Sequence, residues 1–209
     1  MIIAVDGPTA SGKGTVAKHL AARYGLKLLD TGTLYRAVGL AVLDAGGDPA
    51  DEAAALAAAQ VLNLAAIDQD RIRSSAAGAA ASKVAAQPAV RAALLKAQRD
   101  FAADPAGAVL DGRDIGTIIC PDADVKLFIT ASLDARTGRR LKELQARGET
   151  IDFETLKAQI QERDARDMGR TDAPLRQAPD AHLLDTTDLN VEQAAAAAFQ
   201  IVDAARATH

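Results

Sequence analysis

Residues 2–15 read IIAVDGPTASGKGT. A short apolar run ends at Asp6, meets Gly7 and Pro8, and gives way to Val16, Ala17, Leu20 and Ala21 at helical spacing. That order is strand, turn, helix. Inside the turn, the pattern G-x4-G-K runs from Gly7 to Lys13. Glycines let a backbone wrap closely around an anion. Successive N–H groups and a helix N-terminus supply positive potential, and Lys13 adds a mobile charge for β- and γ-phosphates. A phosphate-binding loop is therefore expected over Gly7, Pro8, Thr9, Ala10, Ser11, Gly12, Lys13, Gly14 and Thr15. The alternative, an ordinary glycine-rich turn with an exposed lysine, explains neither the spacing nor the position at the end of the first strand. The hydroxyl that usually follows the lysine is replaced by Gly14 and comes one residue later, at Thr15.

Working outward, LKLLD (26–30), AVLDG (108–112), VKLFITA (125–131) and HLLDTT (182–187) read as further strands. Helices are predicted over 14–24, 33–45, 88–103, 132–146, 153–168 and 191–207. Another starts at Asp48–Pro49, read as an N-cap with Pro at the first helical position, and carries DEAAALAAAQVL. The helix from Pro88 is expected to turn Val90, Leu94, Leu95 and Phe101 to the core. Ser132 reads as a cap, and Asn190 with Gln193 as a capping box. From 63 to 87 the pattern weakens: IDQDRIRSS fits a short strand or a turn, and AAGAAASKVAA a marginal helix. Strands alternate with helices and are continuously apolar, which points to an α/β fold with a parallel sheet covered on both faces.

Composition narrows the possibilities. The 209 residues suffice for one domain with small insertions. The one cysteine, Cys120, excludes a disulfide framework and a cysteine-based zinc site, and suits a reducing, cytoplasmic setting. Alanine, the best helix former, occurs 49 times. Aromatics at 3% argue against base stacking on single strands, and a net charge of -4 against non-specific DNA binding. MIIAVDGP lacks a basic n-region, so a signal peptide is not expected. No apolar stretch is long enough to span a membrane.

Three further motifs sit where strands end: DTGTLYR (30–36), DGRD (111–114) and RDARDMGR (163–170). In open parallel sheets, ligands bind beyond the carboxyl ends of the strands. Seven of the 16 arginines lie between 136 and 170, and Arg163, Arg166 and Arg170 are expected on one helical face. Guanidinium forks suit phosphate oxygens. The bland alternative is a solvated helix with pairs such as Glu162–Arg166 and Arg163–Asp167. Tyr35 fits either a core aromatic or a phosphate contact beside Arg36, and Asp111 either a turn cap or a site residue. His19, His182 and His209 show no ligand or triad spacing and read as structural or surface residues.

With DGPTASGKGT, LLDTGTLYR, SKVAAQPAVRAALL, DGRDIGT, PDADVKLFITA and ERDARD followed by Arg170, the chain resembles the bacterial cytidylate kinases, nearly end to end. These belong to the P-loop nucleoside-monophosphate kinases. The resemblance implies a five-stranded parallel core, a monophosphate-binding insertion over 48–103 and a helical lid over 146–170. Core segments would be 1–47, 104–145 and 171–209. It implies that Gly7 to Thr15 hold ATP. Arg36, Arg113 and Arg170, with Tyr35, would hold the CMP phosphate, and Thr31 would bind substrate as well. Ser82, Arg91 and Asp114 would read cytosine, and Arg163 and Asp167 would reach the sugar. Lys13, Arg113, Arg163 and Arg170 would carry the catalytic charge. Mg²⁺ would be held mainly through ATP phosphates and water, with no metal ligand from the chain. The expected substrates are ATP and CMP or dCMP, and the expected state is a cytoplasmic monomer without nucleic-acid polymer or membrane partners. The family's small sheet before the SxVA motif is expected to be reduced or absent, because 63–81 is short and Ala/Ser-rich. Two alternatives remain: a P-loop kinase for another nucleotide or a hydroxylated metabolite, or a non-catalytic nucleotide switch. The latter fits less well with a second arginine-lined pocket, and no guanine-reading N-K-x-D motif is present.

Overall fold

The structure is a computed structural model that describes residues 1–63, 67–68 and 70–207. Five strands form one sheet: β1 Ile2–Asp6, β2 Lys27–Asp30, β3 Ala108–Gly112, β4 Val125–Thr130 and β5 His182–Asp185. Their order is β2-β3-β1-β4-β5, and all run parallel. β1 is central, with Asp6 in register with Gly112 on one side and Phe128 on the other. The carboxyl ends of β1, β3, β4 and β5 therefore lie side by side. Eight α-helices accompany the sheet among the described residues: α1 Lys13–Tyr24, α2 Thr31–Asp44, α3 Glu52–Gln60, α4 Ser75–Val84, α5 Pro88–Ala102, α6 Leu133–Gln145, α7 Phe153–Gly169 and α8 Val191–Ala207. None is long and apolar enough to cross a membrane.

The chain divides into two compact units, residues 1–29 with 102–209, and residues 30–101. In the first, Ile3, Val5, Val109, Leu127 and Ile129 from the strands meet Val16, Leu20, Ala198 and Val202 from α1 and α8. Central strands are buried on both faces, as a parallel sheet requires. Two strands depart from the continuous apolar reading: the edge strand β5 exposes His182, Leu183 and Asp185, and β4, inside the sheet, carries the buried Lys126, paired with Asp180 at 2.6 Å. Ser132 caps α6 by accepting from Ala135 N, and Asn190 and Gln193 exchange both capping-box bonds around 3 Å. α6 and α7 pack through Leu144, Leu156 and Ile160.

The second unit is an alanine-rich helical cluster. Its core holds Leu34, Tyr35, Val38 and Val42 of α2, Ala55 and Ala59 of α3, Ala81 and Val84 of α4, and Val90 and Leu94 of α5. A Cβ on Gly39 would stand 2.7 Å from that of Ala80, so α2 and α4 approach closely only because both residues are small.

Two of the expectations need correcting here, and a third is settled. α3 is capped by Asp51, whose side chain accepts from Ala53 N and Ala54 N; Asp48 instead closes the preceding turn through Ala50 N. The alanine-rich run after Asp51 starts the helix later than Pro49 suggests. On α5, Leu95 and Phe101 are only half-buried, whereas Gln98 is buried and bonds back to Leu94 O. In the weak stretch, Arg71–Arg73 form a 3₁₀ turn and AAGAAASKVAA contains α4, capped by Ser74. Among the described residues no strand lies between β2 and β3. The reading of 64–66 and 69, and that of His209, falls outside the described residues.

Candidate active site

β1 delivers the chain to the loop at Gly7. A Cβ there would stand 2.0 Å from Ile129 O, so only glycine lets the backbone pass β4 at this point. Ala10 adopts φ 60, a left-handed conformation costly for a residue with a Cβ, and Gly12 follows at φ 89. Strain of this kind persists only where the surroundings hold it. Here, Arg113 Nη2 donates to Thr9 Oγ1 at 2.9 Å and Arg136 Nη1 to Thr9 O at 3.2 Å. Arg139 Nη1 and the Thr186 hydroxyl both donate to Ser11 O, at 3.3 and 2.8 Å. The loop is thus clasped by arginines from β3's end and from α6, and by the residue that follows β5.

Lys13 opens α1, with Nζ 3.8 Å from Asp111 Oδ1. The departure at Gly14 has a steric reason. A Cβ there would lie 2.9 Å from Asp111 Oδ2, so the carboxylate occupies the space a Ser or Thr side chain would need. Asp111 is accordingly a neighbour of the loop.

Asp167 gathers the arginines. Arg113 Nε donates to its Oδ2 at 3.0 Å, Arg163 Nε lies 4.0 Å from the same oxygen, and Arg170 Nε donates to its backbone carbonyl at 3.3 Å. Burial pushes the Asp167 carboxyl up, but the three guanidinium charges outweigh it and hold it below the usual carboxylate range. Beside this group, Arg136 pairs with Asp164 at 2.6 Å, both buried. The expectation that Arg163, Arg166 and Arg170 share one helical face is corrected. Arg170 lies at the C-cap in extended conformation, past the last turn of α7, and Arg166 pairs with exposed Glu162 at 2.6 Å. Both pairs of the bland reading form, but only Glu162–Arg166 is solvated; Arg163–Asp167 is largely buried.

Asp114 is buried at the start of a π-helical turn, Ile115–Ile119. In the second unit, Ser82 and Arg91 are also buried. The Arg91 guanidinium stands 5.7 Å over the ring of Tyr35, which is itself part of that unit's core. Thr31 is buried and Arg36 half-buried on α2. His19 and His182 are exposed, in keeping with surface roles.

A cavity of about 460 Å³ adjoins the loop, lined by Gly12, Thr15, Arg139, Thr186, Leu189 and Asn190 among others. Its size suits a small organic ligand. Of these, Arg139 stands out in the sequence only as one of seven arginines between 136 and 170, and Thr186 and Leu189 carry no motif. The end of the HLLDTT strand, at the same sheet edge as the loop, was the available signal.

The parallel five-stranded sheet with a phosphate loop after its central strand defines a P-loop kinase fold. A crystal structure of an uncharacterized protein from Eubacterium ventriosum shares this fold, with a TM-score of 0.59, 18% identity, and cover of 97% of this chain and 98% of that one. The cytidylate kinase family model matches residues 3–204, so the chain belongs to the cytidylate kinase family. The cytidylate kinase of Caulobacter vibrioides is 58% identical over 208 residues, spanning 100% of this chain and 98% of that protein. That of Xanthobacter autotrophicus is 58% identical over 207 residues, covering 99% of both.

Proposed function

We propose that the protein transfers the γ-phosphoryl group of ATP to CMP and dCMP by direct in-line displacement, as a cytoplasmic enzyme. One observation carries the reading: a phosphate loop and a ring of three arginines around Asp167 share the carboxyl end of one sheet, joined by Arg113 through Thr9. The nucleophile is an oxygen of the acceptor phosphate. With a second pKa near ~6 it is largely dianionic at neutral pH, so no general base is needed. The barrier is repulsion between two anionic phosphates. Lys13 and the guanidinium groups of Arg113, Arg163 and Arg170 neutralise that charge, most strongly at the transition state. Asp167 holds these arginines in an array until substrate phosphate competes for them.

Gly7 to Thr15 wrap the ATP phosphates, and the cavity beside Arg139 takes the rest of that nucleotide. One carboxylate, Asp111, adjoins the loop, and Mg²⁺ keeps several waters and favours carboxylate oxygens. Asp111, beside the loop in place of a hydroxyl, would hold the ion through water. Bound Mg²⁺ supplies charge neutralisation on the transferring phosphate. On the acceptor side, the proposed base contacts are Asp114, Ser82 and Arg91, and the proposed phosphate contacts are Thr31, Tyr35, Arg36, Arg113 and Arg170. Arg163 and Asp167 are assigned to the sugar. An aspartate accepts from the cytosine amino group, whereas uracil presents an oxygen there, so the mismatch leaves buried polar groups unpaired. The α6–α7 pair, including 146–170, would serve as the lid that excludes water during transfer. The chain is expected to act as a monomer.

Coupled ADP release is the test, with CMP, dCMP, UMP, AMP and shikimate as acceptors. CMP and dCMP should support turnover with kcat/KM at least ~100-fold above UMP. Equal kcat/KM for UMP would overturn the assignment, and nucleotide binding without any acceptor-dependent turnover would favour a switch.

A further inference from the structure

Asp6 has no part in the chemistry above, yet it is buried at the point where β1 becomes the phosphate loop. Its Oδ1 accepts from Ile115 N and its Oδ2 from Gly116 N, each at 2.8 Å. Those are the first N–H groups of the π-helical turn that follows Asp114, and the Asp114 side chain makes no capping bond to the turn. The turn is buried, so its leading N–H groups need an acceptor, and a strand across the sheet supplies it. The rest of the turn leans on Asp114 too: Ile118 N and Ile119 N donate to the Asp114 carbonyl at 2.9 and 3.2 Å. Arg113 and Asp114 thus leave β3 into a segment whose first turn is pinned by a bidentate carboxylate. Gly116 lets this happen, because a Cβ there would meet the Lys126 stem at 3.1 and 3.3 Å and Asp6 Oδ2 at 3.5 Å. π-turns of this kind are frequent at functional sites.

We propose that Asp6 is a positioning residue for acceptor selection, fixing Arg113 and Asp114 by clamping the first two N–H groups of the turn behind them. The proposal rests on the reading of Arg113 and Asp114 as acceptor contacts. Asp6 touches neither nucleotide. Its influence passes through Ile115 and Gly116, and Asp114 carries it to the acceptor; Arg113 also holds Thr9 of the ATP loop, so the effect falls more on the acceptor than on ATP.

Asp6→Asn is the informative variant. Assayed above pH 7, where Asp6 is ionised, it keeps the shape but turns an NH₂ group toward one of the two backbone donors and so removes one of two bonds. The full-length variant should show an acceptor KM for CMP raised about tenfold, with the KM for ATP within about twofold of the parent. Gly116→Ala leaves the carboxylate in place but displaces the turn. It should raise the same KM about threefold, and it decides the matter if Asp6→Asn does not fold. On an Asp114→Ala background, Asp6→Asn should add less than about half of its single-variant effect in log KM, because the two act through one segment. An unchanged CMP KM in both single variants, or equal rises for CMP and ATP, would overturn the proposal while leaving the acceptor reading intact. If Asp114→Ala itself leaves the CMP KM at the parental value, the acceptor reading fails first and the proposal falls with it.

Discussion

Two aspartates of the first unit, Asp6 and Asp167, are almost equally buried and have opposite electrostatics. Asp6 faces backbone N–H groups and lies near two other carboxylates; its pKa is pushed up to about 7 by burial, then by Asp114 and Asp111, against the pull of its two hydrogen bonds. Asp167 faces Arg113, Arg163 and Arg170, and is held below the usual range although burial acts against it. Burial is therefore shared, and the neighbours decide the sign. One carboxyl organises backbone and the other organises cations. The cations are the part that the proposed phosphoryl transfer would use.

The largest effects should come from removing that part. Lys13→Ala and Arg170→Ala should each lower kcat by about 10³-fold or more with nearly parental melting temperatures, measured by steady-state kinetics beside thermal melts. Near-normal turnover in either would dissolve the distinction between the two aspartates, because the arginine array would then be structural as well.

Next comes Asp167→Ala, which leaves several partly buried guanidinium groups without their carboxylate. A loss of about 3 kcal/mol in denaturant unfolding is expected, against less than about 0.5 kcal/mol for Arg166→Ala at the Glu162 pair. The stability that Asp167 provides should be present above the ordinary carboxylate range and vanish as pH falls through its depressed folded pKa.

The smallest of the three sharpens the contrast through its sign. With a folded pKa near 7, Asp6 favours folding fully below the unfolded value of 3.8, and that contribution is lost as pH rises through about 7. The parent should lose ~2 kcal/mol from this group between about pH 5 and about pH 7, a slope that Asp6→Asn should flatten in urea titrations at each pH. An identical slope in parent and variant would remove Asp6 as its source.

Legibility in the sequence followed the same division. The phosphate loop, the five strands and the cytidylate kinase family could be read because they depend on local strings: an apolar run, a glycine spacing, a strand-end motif. Ser132 and the Asn190–Gln193 box were legible for that reason too. The helix start at Asp51 was missed because Asp48–Pro49 carries a similar local signal three residues earlier. Arg170 was placed on the face of α7 by spacing alone, but the helix ends one residue earlier. Asp6 could not be recognised as a clamp, since its partners lie more than a hundred residues away and are backbone groups with no sequence signature. Arg136 and Arg139 were visible as charges, but their hold on Thr9 and Ser11 arises only once α6 follows β4.

The contact of Gly39 with Ala80 sets a limit on how this protein can adapt to heat. Enlarging either residue would drive the α2 and α4 backbones apart, because a first added carbon at Gly39 already falls 2.7 Å from its neighbour. A heat-tolerant descendant could not gain robustness by thickening this seam with bulkier aliphatic groups. It would have to work from the unit's outer surface, by building charge networks on pairs such as Arg71 with Asp44 at the end of α2.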